Sequence, residues 1–269
     1  MFATTANAPL AARRPAALMI APVLSVLATL AGLALPDRAG ATTIEVSTGI
    51  FTNRTVGSGK LVEDKRAVAP FTRLRLDSAI TVNARPGSAP GVTVKADDNI
   101  APLIQTSVEG ETLIVKVKQG SGFRTESPLV VTVDFTKLTQ ADLRGSGDLN
   151  VSALKGEQFE VSLAGSGDVR VDNAELGRFS ARLAGSGDIW LKGRCDDAGY
   201  NLAGSGDVHA ADMQAKRVNV DIAGSGDVRV HASESLAVQI AGSGDVAYSG
   251  NPPKVTSRVV GSGDLRAVK

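Results

Sequence analysis

The sequence is short of several things that would point to a particular chemistry. It holds one cysteine, Cys195, in 269 residues. An intramolecular disulfide is therefore excluded, and so is a cysteine metal cluster; Cys195 reads as a small apolar residue at a bend. Aromatic residues make up 4% of the chain, against 43% hydrophobic overall. Aliphatic and small side chains must then fill the interior. The only imidazoles are His209 and His231. No charge sign predominates: 29 basic and 28 acidic residues leave a net charge of +1, which excludes bulk attraction to nucleic acid.

What is present begins with a leader. Arg13 and Arg14 form a positive start, and an apolar stretch follows over residues 16–35, interrupted by Pro22 and Gly32. Ala39-Gly40-Ala41 then fits the small-x-small rule of signal peptidase. Residues 1–41 are expected to be a signal peptide, cleaved between Ala41 and Thr42. The competing reading is an uncleaved membrane anchor, since the stretch is nearly long enough to span. Ala12 and Pro15 flank Arg13-Arg14 poorly for a twin-arginine signal, and the leader has no cysteine for lipidation. If the leader is cleaved, the mature chain is close to neutral and has no membrane span. The expected location is outside the cytoplasm: periplasm, cell surface or medium.

The C-terminal half is dominated by a repeat. Gly-Ser-Gly-Asp occurs seven times, with aspartates at 148, 168, 188, 207, 227, 245 and 264. The steps are 20, 20, 19, 20, 18 and 19 residues. After each aspartate comes an in-out-in run: Leu149-Asn150-Val151, Val169-Arg170-Val171, Ile189-Trp190-Leu191 and so on. Before each motif stands a second alternating run, with Phe159, Val161 and Leu163 against Glu160 and Ser162. The third unit departs from it with Ala198, Tyr200 and Leu202, and the sixth has Val255, Ser257 and Val259. Period two is the signature of a strand with one buried face.

One such unit cannot bury its apolar edge alone. Stacked units pair equivalent strands in parallel, and their inward columns form one core. The expected fold is all-β, a parallel β-helix or β-solenoid with roughly 20-residue coils. Each coil is read as two strands, joined by the Gly-Ser-Gly bend on one side and a variable bend on the other. Leu183, Ile222 and Ile240 are expected in one inward stack beside Phe159 and Phe179. A propeller blade needs about twice this period.

Residues 42–143 show strand patterns without the motif, at 43–46, 74–76, 80–84, 92–96, 113–117 and 129–135. Residues 98–108 suggest a short helix or an irregular bend. This region is expected to cap the repeat solenoid of residues 144–269, the two forming one continuous domain.

Several motifs together resemble a known family. They are Gly57-Ser58-Gly59, residues 66–76 with Phe71, Ile80-Thr81-Val82, Asp97-Asp98-Asn99, Leu113-Ile114-Val115 and the entry to the repeats at residues 143–148. Over residues 56–269 the chain is similar to the head GIN domain family, whose members carry the label auto-transporter adhesin. The resemblance implies a right-handed β-helix-like fold and little about activity. An auto-transporter carries a membrane barrel after its passenger. This chain reaches Lys269 five residues past Asp264, so a secreted or periplasmic relative of such a head is expected.

Catalytic motifs fail on their residues. Gly57-Ser58-Gly59-Lys60 has Arg54 where a phosphate loop needs its first glycine and Leu61 where it needs Ser or Thr. No Gly-Ser-Gly unit has a glycine three residues on, so the dinucleotide fingerprint fails. A Gly-x-Ser-x-Gly elbow is missing too. A serine recurring in every corner reads as structural, and His209 and His231 read as solvated surface residues. The aspartate column invites calcium. Calcium-binding β-rolls, however, use a shorter period with a residue between Gly and Asp, and a hard cation wants six to eight oxygens. No metal or cofactor is expected.

The outward column Asn150, Arg170, Trp190, His209, Arg229, Ala247 and Arg266 is the candidate contact surface. Arg170, Trp190, His209, Arg229 and Arg266 could dock sugars or an anionic polymer. The leading expectation is a non-enzymatic, adhesin-like binding module for a glycan or an envelope or surface protein. The alternatives are a periplasmic structural or signalling accessory of the envelope and a polysaccharide-active β-helix enzyme. Uniform short corners argue against the enzyme, which needs irregular loops to gather acid and base.

Overall fold

The computed structural model describes residues 54–268. The leader and the strand expected at 43–46 lie outside these residues. The described chain is nearly all strand. In the first part these are β1 (Arg54–Val56), β2 (Leu61–Ala67), β3 (Arg73–Asp77), β4 (Val82–Pro86), β5 (Gly91–Asp97), β6 (Ile104–Glu109), β7 (Thr112–Val117), β8 (Gly122–Arg124) and β9 (Val130–Phe135). The repeats supply β10 (Gln140–Gly145), β11 (Leu149–Val151), β12 (Leu154–Gly165), β13 (Val169–Gly185), β14 (Ile189–Gly204), β15 (Val208–Gly224), β16 (Val228–Gly242), β17 (Val246–Ser249), β18 (Lys254–Gly261) and β19 (Leu265–Ala267).

The repeats stack as a parallel β-solenoid of about 6 turns. Coils pair in register: Leu163, Leu183, Leu202, Ile222 and Ile240 form one column, each at most 4% exposed. Phe159 and Phe179 face inward too, as the alternation predicts, but the column of Val161, Ala181 and Tyr200 stands between them and the leucines.

The departure in the third unit has a packing reason. Ala198 lies beside Phe179, where a phenyl ring would continue the column, and Tyr200 lies beside Ala181. Bulk has moved two residues along the strand. The Tyr200 ring sits 6.0 Å from Phe179, itself 6.3 Å from Phe159, in tilted contacts. Small and large residues alternate between columns, so the interior stays filled.

The two-strand coil is too simple. In β13 to β16 the chain does not break at the variable bend, and a third ladder runs there. Leu176, Cys195, Ala215 and Ala232 form its inward column. Each coil thus has three faces, and Cys195 is part of the core rather than a loop residue. Burial, reinforced by the charges of Asp196 and Asp197, pushes its thiol up to about 12. Differences in coil length are absorbed at register shifts such as that between Val171 and Ala174, where Asn173 takes φ 51°.

The first part extends the same ladder in shuffled order. β3 and β4 pair in parallel with β10 and β11 on one side and with β7 and β9 on the other. An early coil is therefore sandwiched between later ones. Around it β2–β5, β5–β9 and β6–β7 are antiparallel. The segment expected to be a helix or bend holds a short 3-10 turn, Ala101–Leu103, and then β6.

Candidate functional site

The corner decides what the solenoid can display. At each turn the N–H of one aspartate donates to Oδ1 of the aspartate one coil earlier. Asp188 to Asp168 is 3.0 Å, Asp207 to Asp188 2.8 Å, Asp227 to Asp207 2.8 Å and Asp245 to Asp227 2.9 Å. The N–H of the following residue donates the other way, as from Val208 to the Asp227 carbonyl at 2.9 Å. The carboxylate thus replaces a backbone carbonyl and carries the ladder through the bend. Among the described residues, Oδ2 of Asp168, Asp188, Asp207, Asp227 and Asp245 accepts no protein hydrogen bond.

This geometry separates two substitutions. Asp207→Asn retains an oxygen for the Asp227 N–H and relieves repulsion between stacked carboxylates. It should be neutral or mildly stabilising in urea unfolding. Asp207→Ala leaves that N–H without its acceptor and should cost about 1 kcal/mol. Melting curves in chelator and in millimolar calcium should coincide; a large calcium-dependent rise would mean that metal, not the N–H, holds the carboxylates.

The candidate contact residues form one row on the face that follows the corner. Arg170 pairs with Trp190, Trp190 with His209 and His209 with Arg229 in the ladder. The Arg170 guanidinium lies 5.1 Å from the Trp190 ring centroid. The His209 ring stacks on Trp190 at 5.1 Å and 17°. Arg229 Nη1 lies 3.2 Å from His209 Nδ1. Both faces of the indole are therefore engaged within the row, and solvent meets ring edges and guanidinium groups. A sugar docking on this row would meet the edge of Trp190 rather than a face of the ring. Arg266 stands apart, separated from Arg229 by Ala247, which is 7% exposed.

Charges beside the row oppose the anionic-polymer reading. The corner aspartates stand two residues before each member of the row, on the same side of the strand. On the second face, charges are paired across coils: Glu175 with Lys155 and Arg194, Asp196 with Lys216, and Asp197 with Arg217. The hydrogen bond from Arg217 holds the Asp197 carboxyl below the usual carboxylate range. His231 lies by the bend, 3.1 Å from Ser249 Oγ.

The Gly57-Ser58-Gly59 loop is tied to its own fold. Its Ser58 N–H donates to Asn99 Oδ1 at 3.0 Å, and Ser58 Oγ donates to Asp98 Oδ1 at 2.6 Å. Thr125 Oγ1 donates to Asp97 Oδ2 at 2.6 Å. Hydroxyls of Ser127 and Thr125 hold the buried Asp97 carboxyl below its ordinary value. The donors a phosphate would need are thus engaged internally.

One feature of the third face escapes a reading based on charge and aromatics. Ala164, Ala184, Ala203, Ala223 and Ala241 form an exposed row that ends at Val260. A shallow groove of about 750 Å³ runs along it, bordered by Arg182, Asn201, Asp221 and Gln239. The signal was in the sequence: alanine precedes Gly-Ser-Gly-Asp in five units running.

The profile of the family described as "Putative auto-transporter adhesin, head GIN domain" matches residues 70–252. The chain belongs to the head GIN domain family. Solved structures carry the same fold. A "putative adhesin" from Bacteroides fragilis superposes with a TM-score of 0.75 at 22% identity, covering 79% of this chain and 99% of its own. A "putative lipid binding protein" from Parabacteroides distasonis gives 0.68 at 28%, covering 80% and 100%. A "putative adhesin" from Parabacteroides merdae gives 0.59 at 24%, covering 80% and 99%. No curated protein matches the chain. Across this head GIN domain, no described helix is long and apolar enough to cross a membrane.

Proposed function

We propose that this protein is an exported, non-enzymatic binding module of the adhesin type, with a glycan as its ligand. Residues 42–143 would cap a display solenoid formed by residues 144–269. The observation that carries the reading is the pairing of two parallel rows on one rigid face. Arg170, Trp190, His209 and Arg229 offer donors along their edges. The corner aspartates beside them offer free Oδ2 acceptors at the same repeat. Alternating donors and acceptors suit a hydroxyl-rich, uncharged polymer better than a polyanion. The family's description and the names of its structural neighbours support an adhesin, and the uniform corners support a surface without catalysis.

Binding of the purified protein to an array of neutral and charged glycans tests the reading. Neutral glycans should be preferred. Trp190→Ala should weaken the strongest signal at least about tenfold, since it removes the ring that holds Arg170 and His209 in place. Unchanged binding by that variant, or release of reducing ends from the glycan, would overturn the assignment.

A second reading rests on the alanine row. Its groove is apolar and shallow, and one structural neighbour is named for lipid binding. Under this reading the third face meets an acyl chain, and Ala203→Glu abolishes flotation with lipid vesicles while leaving the glycan signal intact.

A further inference from the structure

The two ends of the solenoid are finished differently. At the cap, edge strand β2 carries Glu63, Asp64, Lys65 and Arg66 in succession. The Arg66 guanidinium donates to the carbonyls of Ile104 at 2.6 Å and Ala101 at 3.0 Å. Charge along an edge and a side chain bonded across it both keep a sheet from pairing further. At the far end, β18 pairs with β16 on one side and, among the described residues, with nothing on the other. Its inward positions are Val255, Ser257 and Val259, none charged. Val255, Val259, Val260 and Val268 are 38%, 40%, 59% and 45% exposed, four of the six large apolar residues exposed in the described chain. The same coil turns through Pro252 and Pro253, which have no N–H to give a ladder. An additional strand can therefore join the third face at β18 but not the second face.

We propose that β18 pairs antiparallel with β18 of a second copy of this chain, about a two-fold axis through Ser257. Residues directly opposite in an antiparallel pair share a face, so inward positions must meet inward positions. Three registers satisfy this with substantial overlap. Centring on Thr256 sets Lys254 against Arg258. Centring on Arg258 sets that residue against itself. Centring on Ser257 sets Val255 against Val259, Thr256 against Arg258 and Lys254 against Val260. Only the last sets no like charges directly opposite each other while it continues the apolar core across the junction. The interface is isologous, so it closes at two copies and does not propagate into fibres.

Sedimentation equilibrium of the chain, as the cell processes it, tests this over a concentration series reaching the millimolar range. A monomer–dimer equilibrium is expected. Thr256 is exposed and points outward, so its replacement should leave folding intact. Thr256→Arg places two like-charge pairs in each dimer and should raise the dissociation constant about tenfold; Thr256→Glu faces Arg258 twice and should lower it about tenfold. Val259→Lys should give a monomer whose circular dichroism matches the parent. Should Val259→Lys fail to fold, the Thr256 variants still decide. A parent that stays monomeric throughout, or a dimer that ignores both Thr256 substitutions, overturns the proposal.

Discussion

Gly206→Ala should prevent the solenoid from closing, whereas Gly199→Ala, seven residues away, should leave it intact. A Cβ placed on Gly206 would lie 2.0 Å from the carbonyl oxygen of Gly187 in the coil below. That oxygen is backbone, locked in a stack of similar corners. A Cβ on Gly226 would in turn meet the Gly206 carbonyl at 2.1 Å. No side chain can swing aside to relieve the clash. The coils would have to separate, which breaks ladder hydrogen bonds and opens the core beneath. Overpacking a core costs typically about 1–3 kcal/mol, and a backbone clash should reach or exceed the top of that range. Gly199 has nothing within 4 Å of its would-be Cβ. Alanine there should be neutral or stabilise by up to about 1 kcal/mol, because it restricts the unfolded chain. Equal urea midpoints for the two variants would show that the corner is not where the coils meet.

Ile222→Asp should be the most damaging single change in the core. Ile222 is 3% exposed and stands between Leu202 and Ile240 in its column. Its Cγ2 atom lies 3.2 Å from the place a Cβ on Gly244 would take, so the side chain fills the space under the next corner. Aspartate would bury a charge with no partner, and soluble folded protein should not accumulate. Ile222→Ala should fold and lose about 2–5 kcal/mol by urea titration. The adjacent Ala223 faces outward, and Ala223→Ser should change stability by no more than about 0.5 kcal/mol. Reversed effects at 222 and 223 would mean that every side chain of this strand faces the other way.

The contrast between neighbours 222 and 223 shows what was legible in the chain. Alternation is a local signal, because successive strand residues point to opposite faces whatever they pair with. The Leu183, Ile222 and Ile240 stack follows from it, as does the outward placement of Arg170, Trp190, His209 and Arg229. The Gly-Ser-Gly-Asp corner was legible for a similar reason: a bend that must let backbones touch tolerates little besides glycine, so it repeats almost without variation. The third ladder was not. Its residues, Leu176, Cys195, Ala215 and Ala232, follow a stretch of uneven length, and register shifts hide their equivalence.

The same division holds for the candidate site and the fold as a whole. By itself, the sequence determined that the C-terminal half is a stack of β coils, which side of each strand faces in, and which polar residues share a row. Those properties depend on local period and on a spacing that repeats. Tertiary structure alone decided that Trp190 has no free face, since the contacts with Arg170 and His209 come from residues 20 and 19 positions away that only stacking brings together. It alone decided that β3 and β4 lie between later strands, that the aspartates bond from coil to coil, and that β18, among the described residues, pairs on one side only. Each is a pairing between distant segments. The free energy of such pairing comes from burying surfaces against one another, which local periodicity does not encode.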